Sequence, residues 1–492
     1  VSRKNIENVC ALSPIQQGML FHALYADEGA RGAEERGAPE ASRSGAYVVQ
    51  SGWTIRGPLS LDALQRGWQA VVDRHSVLRT SFVWERVDKP LQIVWKRVPI
   101  TIEEVDLRGV PEEEQDAQIE RLTRRDERAF DLTKAPLMRF TVFKRRDDLH
   151  RFVWTAHHAL IDGWSMPIVR QEAVALYDAF ARGREIHLER ARPYSDFIGW
   201  LQKQDTSRAG AFWSEHLAGF SAPTPLGVDH PASGGEERFA ERRGVLPEAE
   251  GAALDAFARS HQLTVSTLVH GAFALVLARY SGEEDVVFGT TVSGRSAPLA
   301  GIERIIGPFI NTLPVRARVQ PDRRALEWLH ALQLGLAALR EHEHSPLFEV
   351  QRHSAVLGGT PLFESLVVFE NYPEEELARG EEGRAFSVGD QKTVEWSNYP
   401  LMVQAAFRRT LVMRVSYSLL RLDGATIDRL MEHLRVVLGG IVAAPDTLLG
   451  ELPILPEAER RRLLVEWNAV EAPYPGGATL ADLFDAQAAR TP

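Results

Sequence analysis

The chain has 492 residues, 44% hydrophobic and 25% charged, with a formal net charge of -10. That is the composition of an ordinary globular protein, long enough for two to four units at roughly 100–200 residues each, and its acidic balance excludes an overall basic footprint for nucleic acid. The one cysteine, Cys10, excludes an internal disulfide and suits a reducing compartment. The polar start "VSRKNIEN" is no signal peptide, and the most apolar long stretch, "STLVHGAFALVLARY", carries a histidine and is too short to cross a bilayer. A cytoplasmic protein without a membrane or nucleic-acid partner is expected.

Along the chain, "ADEGARGAEERGAPEASRSGA" (26–46) is rich in Gly, Ala and mixed charge and has no apolar period, so it reads as a mobile surface insertion. "AYVVQSGWTIRG" follows as a strand. In "SLDALQRGWQAVVDRH", Leu61, Leu64, Trp68 and Val71 recur at helical spacing behind Ser60, a candidate cap. "VLRTSFVW" and "LQIVWKRV" read as strands. "LMRFTVFKR" and "HRFVWTAHH" read as paired strands around the turn "RDDL". A break is expected near "RGREIHLERARPY" (182–194). Beyond it, "TVSTLVHGAFALVLARY" (264–280) is an apolar helix, "EDVVFGTTVSG" a strand running into a loop, and "LFESLVVFENYP" and "LVMRVSYS" are strands. "TIDRLMEHLRVVLGGIVAAP" is a helix with Leu430, Leu434 and Val437 on one face. "PYPGGA" reads as a linker, and "TLADLFDAQAARTP" opens a helix. Two lobes of mixed helix and sheet are the simplest α/β organisation.

The chemistry concentrates in "FVWTAHHALIDGWSMP" (152–167). An apolar strand ends in His157 and His158, and Asp162 and Gly163 follow after a three-residue spacer. Neighbouring strand residues point to opposite faces, so one histidine faces a cavity while the other packs. The usual helical metal pair is four apart, so no metal site is expected. "GWSMP" lacks the second glycine of a nucleophile elbow, because Pro167 stands there. Two structural histidines at a strand end are the plain alternative. A histidine facing a cavity suits acyl transfer, since it can take or orient a proton near neutral pH. Asp162 would fix the loop through an arginine, and Gly163 would admit close approach of backbone to substrate.

This stretch resembles the active-site signature of condensation domains of nonribosomal peptide synthetases, in the superfamily that includes chloramphenicol acetyltransferase. Further motifs resemble the family's in its order: "LSPIQQGMLFH" (12–22), "RHSVLRTSF" (74–82), "YSGEEDVVFGTTVSGR" (280–295), "IIGPFINTLPVR" (305–316), "HEHSPLFEVQ" (342–351) and "SNYPL" (397–401). "LPILPEAERRRLLVEWNAVEAPYP" resembles the linker that follows such a domain, and "TLADLFDAQAARTP" resembles the first residues of an adenylation domain.

The resemblance implies two chloramphenicol acetyltransferase-like lobes, 1–185 and 186–455, arranged as a V around a tunnel. A linker would occupy 456–477 and the start of an adenylation domain 478–492. It implies peptide-bond formation between a donor on an upstream carrier domain and an aminoacyl acceptor on a downstream one, each tethered to 4'-phosphopantetheine, with no cofactor held by this domain itself. His158 would orient the acceptor amine or accept its proton, with His157 and Gly163 beside it. Asp162 would pair with Arg295 across the lobe junction. Asn311, Ser397 and Trp164 are candidates to line the tunnel, with packing or turn roles open for Asn311 and Ser397. "LSPIQQGMLFH" and "LIDGWSMPIV" resemble the subfamily that takes a D-configured or achiral donor. The alternatives are an inactive recruitment module, which in glycopeptide synthetases lacks the second histidine; an epimerization domain, whose motif continues differently after the glycine; and an acyltransferase for a free small molecule.

Overall fold

The computed structural model describes residues 3–21, 23, 47–126, 130–205, 207–230, 238–370, 386–395, 399–469 and 477–491. The Gly/Ala-rich stretch 26–46 lies outside them. The first part of the chain contributes β1 (Ile6–Ala11), β2 (Val48–Arg56), β3 (Thr80–Val83), β4 (Leu91–Trp95), β5 (Ile102–Asp106), β6 (Met138–Arg146) and β7 (Leu149–His157). The remainder contributes β8 (Phe239–Val245), β9 (Asp285–Val292), β10 (Asn311–Arg318), β11 (Ser365–Glu370), β12 (Ser387–Glu395), β13 (Leu401–Phe407) and β14 (Leu411–Ser418). They form a small sheet β1-β4-β3, a five-stranded sheet β12-β2-β7-β6-β5 and a six-stranded sheet β10-β9-β11-β13-β14-β8.

β6 and β7 make the expected hairpin around Asp147 and Asp148. β7 is central in its sheet, so both its faces are covered. Phe152, Trp154 and Ala156 enter one core with Trp68, whose ring lies 4.7 Å from Phe140 and 5.1 Å from Trp154. Val153 faces the other way, into a cluster with Leu107, Ile119 and Phe143. Each such buried side chain contributes roughly 1.5–3 kcal/mol. The helix Leu61–Arg74 starts at Ser60, whose side chain accepts from the Ala63 N–H, and it buries Leu64, Trp68 and Val71 as expected. "VLRTSFVW" is only half strand: Ser76–Arg79 forms a 3-10 turn. The reason is Arg79, whose buried guanidinium donates to the carbonyls of Val72, Asp73 and Trp95 and pairs with Glu7 at 2.7 Å. An extended chain would carry that side chain away from these partners.

In the second core the helix Val265–Ser281 is apolar all round and buried from Thr267 to Ala278, as a core helix should be. Thr264 caps its start and Gly282, at φ 76, ends it. The helix Gly424–Ala443 buries Leu430, Leu434 and Val437. Leu480–Arg490 is also helical, with a capping box between Thr479 and Asp482. Among the described residues no single helix is long and apolar enough to cross a membrane.

The lobe border is not the single cut expected at 185/186. β12 pairs antiparallel with β2, from Ser387↔Arg56 to Glu395↔Val49. A segment far along the chain thereby covers what would otherwise be an open sheet edge. Ala297, Ile302, Ile305, Ile306, Phe309 and Phe386 also pack into the core of the first sheet. Residues 182–194 carry no regular secondary structure, in keeping with a connection there.

Candidate active site

The site begins where β7 stops. The His157 N–H still bonds across the sheet to Leu137 O at 3.0 Å, and the His158 N–H reaches Tyr47 O at 2.8 Å, just before β2. Leu160 N–H then returns to His157 O at 3.0 Å and Ile161 N–H to His158 O at 3.3 Å. Residues 157–161 are thus a closed turn at the end of a buried strand.

Within that turn the two imidazoles have different fates. His157 accepts at Nδ1 from the Ala159 N–H at 3.0 Å and sets its ring edge-on to Phe130 at 6.3 Å. Burial, helped by the neighbouring His158, pushes its pKa down to about 3, so it is a neutral strut. His158, 9% exposed, places Nδ1 3.0 Å from Ile161 O. A carbonyl only accepts, so Nδ1 carries a proton, and in the neutral ring Nε2 then presents its lone pair. That nitrogen can accept a hydrogen bond, or a proton, from a nucleophile.

Asp162 has no exposed surface. Its carboxylate accepts from the Ser165 N–H at 2.8 Å and the Phe309 N–H at 3.0 Å. Arg295 Nη2 stands 3.3 and 3.4 Å from its two oxygens and 2.9 Å from Ser165 Oγ. Arg295 Nη1 donates to Ile302 O and Ile305 O, and the guanidinium lies 4.1 Å above the Phe309 ring. Ser165 Oγ donates to Gly307 O at 3.1 Å. The loop 294–309 from the second half is therefore clasped to the turn. Two glycines permit this. Gly294 lies at φ 64, and a Cβ on it would sit 1.8 Å from Phe309 O. A Cβ on Gly307 would meet the Tyr194 ring at 2.2 Å.

The sequence profile described as "Condensation domain" matches residues 6–464. The chain belongs to the condensation domain family. One of the linear gramicidin synthase subunits of Brevibacillus parabrevis is 41% identical, over 99% of this chain and 10% of that protein. Chondramide synthase cmdD of Chondromyces crocatus is 35% identical, over 100% of this chain and 14% of its own length. This chain spans 10% or less of the linear gramicidin synthase subunits it matches. Among solved structures, the X-domain from teicoplanin biosynthesis superposes with a TM-score of 0.76 at 24% identity, covering 92% of this chain and 99% of that one. The first condensation domain of the calcium-dependent antibiotic synthetase, in complex with a substrate analogue, gives 0.73 at 20%, over 92% and 100%. At these identities the likeness is one of fold, and the fold is the α/β one expected.

Within this condensation domain the signature residues separate by what they touch. Among the described residues His158 Nε2 meets no hydrogen-bond partner, whereas His157 Nδ1 is engaged by the Ala159 N–H. Asp162 belongs with Arg295 as a support, since its carboxylate is met by protein groups. Gly163 is a partly exposed turn residue without a positive φ. Two expected lining residues bond to protein groups, and for Asn311 this is the packing role that the sequence left open. Asn311 is buried and its Nδ2 donates to Glu343 O at 2.9 Å and Ser345 O at 2.7 Å, which ties β10 to the segment after the helix Ala325–Glu341. Trp164 donates its indole N–H to Glu303 O at 3.0 Å across the junction, so its polar end serves the clasp. Ser397 lies outside the described residues.

Three supports went unnoticed at the level of sequence. Ser165 bridges Arg295 and Gly307. Glu343, nearly buried, accepts from the N–H groups of Gly294 and Ser296, on either side of Arg295. Gln16 donates to Ala159 O at 2.9 Å. The available signal was a polar residue held fully inside an apolar motif, as in "LSPIQQGML".

Proposed function

We propose that this chain forms an amide bond between two carrier-bound substrates. The acceptor's α-amine attacks the donor thioester; the C–N bond forms, the C–S bond breaks, and the donor's phosphopantetheine sulfur leaves as thiolate. An amine of this kind titrates near pH ~8, so part of it is already neutral. The chain's task is then to align the amine and receive or direct one proton, which ends on the departing sulfur or in solvent. The observation that carries this reading is the bond from His158 Nδ1 to Ile161 O, which leaves Nε2 as an acceptor at the end of a rigid turn. The upstream and downstream carriers and an adjacent adenylation domain are the partners, supported by multidomain relatives such as the linear gramicidin synthase subunits. Phosphopantetheine arrives on the carriers as part of the substrate, through a tunnel between two lobes set as a V, and this chain holds no cofactor.

The recruitment reading gains nothing from the fold likeness to the X-domain from teicoplanin biosynthesis, since a condensation domain superposes almost equally well. It is opposed by His158, which the family's recruitment members lack. The deciding experiment mixes the chain with a donor-loaded upstream carrier and an acceptor-loaded downstream carrier and follows the extended product by mass spectrometry. Product formation is expected; its absence with folded protein and loaded carriers sinks the reading. The same assay with matched D- and L-terminal donors is expected to favour the D or achiral donor, on the strength of "LSPIQQGMLFH" and "LIDGWSMPIV". A clear L preference rejects that refinement and leaves condensation untouched.

A further inference from the structure

We propose that Gln16 is a positioning residue for His158, acting through the carbonyl of Ala159; this rests on the role given to His158 above. Gln16 lies in the helix at 14–21, far from the turn in sequence, and is 1% exposed. It looks at first like an ordinary helix cap. Its Oε1 accepts from the Ser13 N–H at 2.9 Å while Ser13 Oγ accepts from the Gln16 N–H at 3.4 Å, which is a capping box. In such a box the glutamine needs only its oxygen. Here the other end of the amide is also engaged: Nε2 donates to Ala159 O at 2.9 Å, across 143 residues of sequence. Gln92 closes the network, donating to Gln16 Oε1 at 3.2 Å and to Ala11 O at 2.7 Å. The amide orientation follows from its partners, because an N–H faces the oxygen and a carbonyl faces the nitrogen.

Ala159 is the residue directly after His158. Its N–H is held by His157 Nδ1 and its C=O by Gln16. The turn is therefore pinned at both ends. Asp162 and Arg295 fix the Ile161 side, where the His158 Nδ1 bond ends, and Gln16 fixes the Ala159 side. Releasing one end lets the backbone that carries the imidazole rotate. A misplacement of about 1 Å in such a group costs up to roughly a hundredfold in rate.

The two functions of Gln16 are separable. Gln16→Glu keeps an oxygen for the Ser13 N–H and removes the donor to Ala159 O. Gln16→Met removes both. With loaded carriers, both variants are expected to lower kcat roughly ten- to a hundredfold with little change in the KM for either carrier, and to alter the pH–rate profile. Both variants are expected to lose melting temperature, Gln16→Met by leaving the Ser13 N–H and Ala159 O without this partner and Gln16→Glu by setting a buried carboxyl against Ala159 O, so turnover is compared per folded protein. In a His158→Ala background, Gln16→Glu is expected to cause no further loss, because the group it positions is gone. Wild-type kcat for folded Gln16→Glu overturns the inference, and so does an undiminished loss in the His158→Ala background. Failure of both variants to fold assigns the residue to structure alone and also overturns it. Wild-type turnover by His158→Ala overturns the role of His158 and this inference with it, whereas a loss there without one for Gln16→Glu overturns this inference alone.

Discussion

The turn after β7 and the helix Val265–Ser281 each hide a histidine whose Nδ1 faces a backbone carbonyl: Ile161 O for His158, Ser266 O at 2.7 Å for His270. The Nδ1 proton is therefore placed alike in both. The difference lies at Nε2. In His270 it meets Thr290 Oγ at 2.8 Å, so that both nitrogens are engaged inside the second core. In His158 it meets no hydrogen-bond partner among the described residues. Burial alone thus does not mark a functional histidine; the free acceptor nitrogen separates this pair, although ring nitrogens of His150, His216 and His344 are also without a hydrogen-bond partner and lie outside the signature turn. The comparison also explains why the site needs so many supports. A helix interior holds His270 through its own regular backbone, whereas an irregular turn has to be held by Tyr47, Asp162, Arg295 and Gln16.

The largest effect that can test this contrast is on turnover. His158→Ala is expected to fold normally and to lose a factor of about 10²–10⁴ in amide formation. His270→Ala, normalised to folded protein, is expected to keep its rate. Product quantitation on both variants with loaded carriers decides it, and equal rates for wild type and His158→Ala would break the comparison.

Next comes the clasp. Asp162 is fully buried and the Arg295 side chain is 6% exposed, at 3.3 Å from it. Removing one partner strands a buried charge at a cost of roughly 3–5 kcal/mol. Asp162→Asn and Arg295→Gln are therefore expected to lower the melting temperature strongly, and the double variant by less than the sum. Small additive losses, with activity abolished by Asp162→Asn alone, would move Asp162 from support into the chemistry.

The pH dependence of stability is expected to come from the buried histidines. Burial pushes His270 down to about 4 from 6.5. Between those values the unfolded chain binds the proton and the folded one does not. The contribution is therefore complete above about pH 6.5 and is lost as pH falls towards 4, by roughly 3 kcal/mol. His216, also held at about 4 by burial and by Arg316, acts in the same direction. Urea unfolding across this range should show the slope, and His270→Gln should flatten it. An unchanged slope would mean that His270 takes up a proton without unfolding. The smallest expected effect is at Trp164, where Trp164→Phe removes the bond to Glu303 O. A loss of about 0.5–1.5 kcal/mol with turnover retained places Trp164 in the clasp; a raised KM with unchanged stability would return it to the substrate path.

Local pattern carried much of the molecule. The 3.6-residue recurrence of Leu64, Trp68 and Val71, the apolar run from Phe152, and Thr264 before a largely apolar helix set elements that depend on neighbours close in the chain, so they are legible from sequence. The paired histidines after a buried strand marked the site, and the ordered motifs marked the family. Other assignments depended on partners that no local period encodes. β12 joins the first sheet because β2 offers an edge there. Asn311 is a brace because two carbonyls at 343 and 345 happen to face it. His157 and His158 look alike in sequence and part company only through Ala159 N and Ile161 O. Gln16 and Asp162 reach across 143 and 133 residues for Ala159 and Arg295. Sequence determined the elements, through short-range sterics and hydrophobic spacing. Tertiary structure alone decided which buried polar group supports and which is free to react, because a hydrogen bond depends on where its partner is held in space.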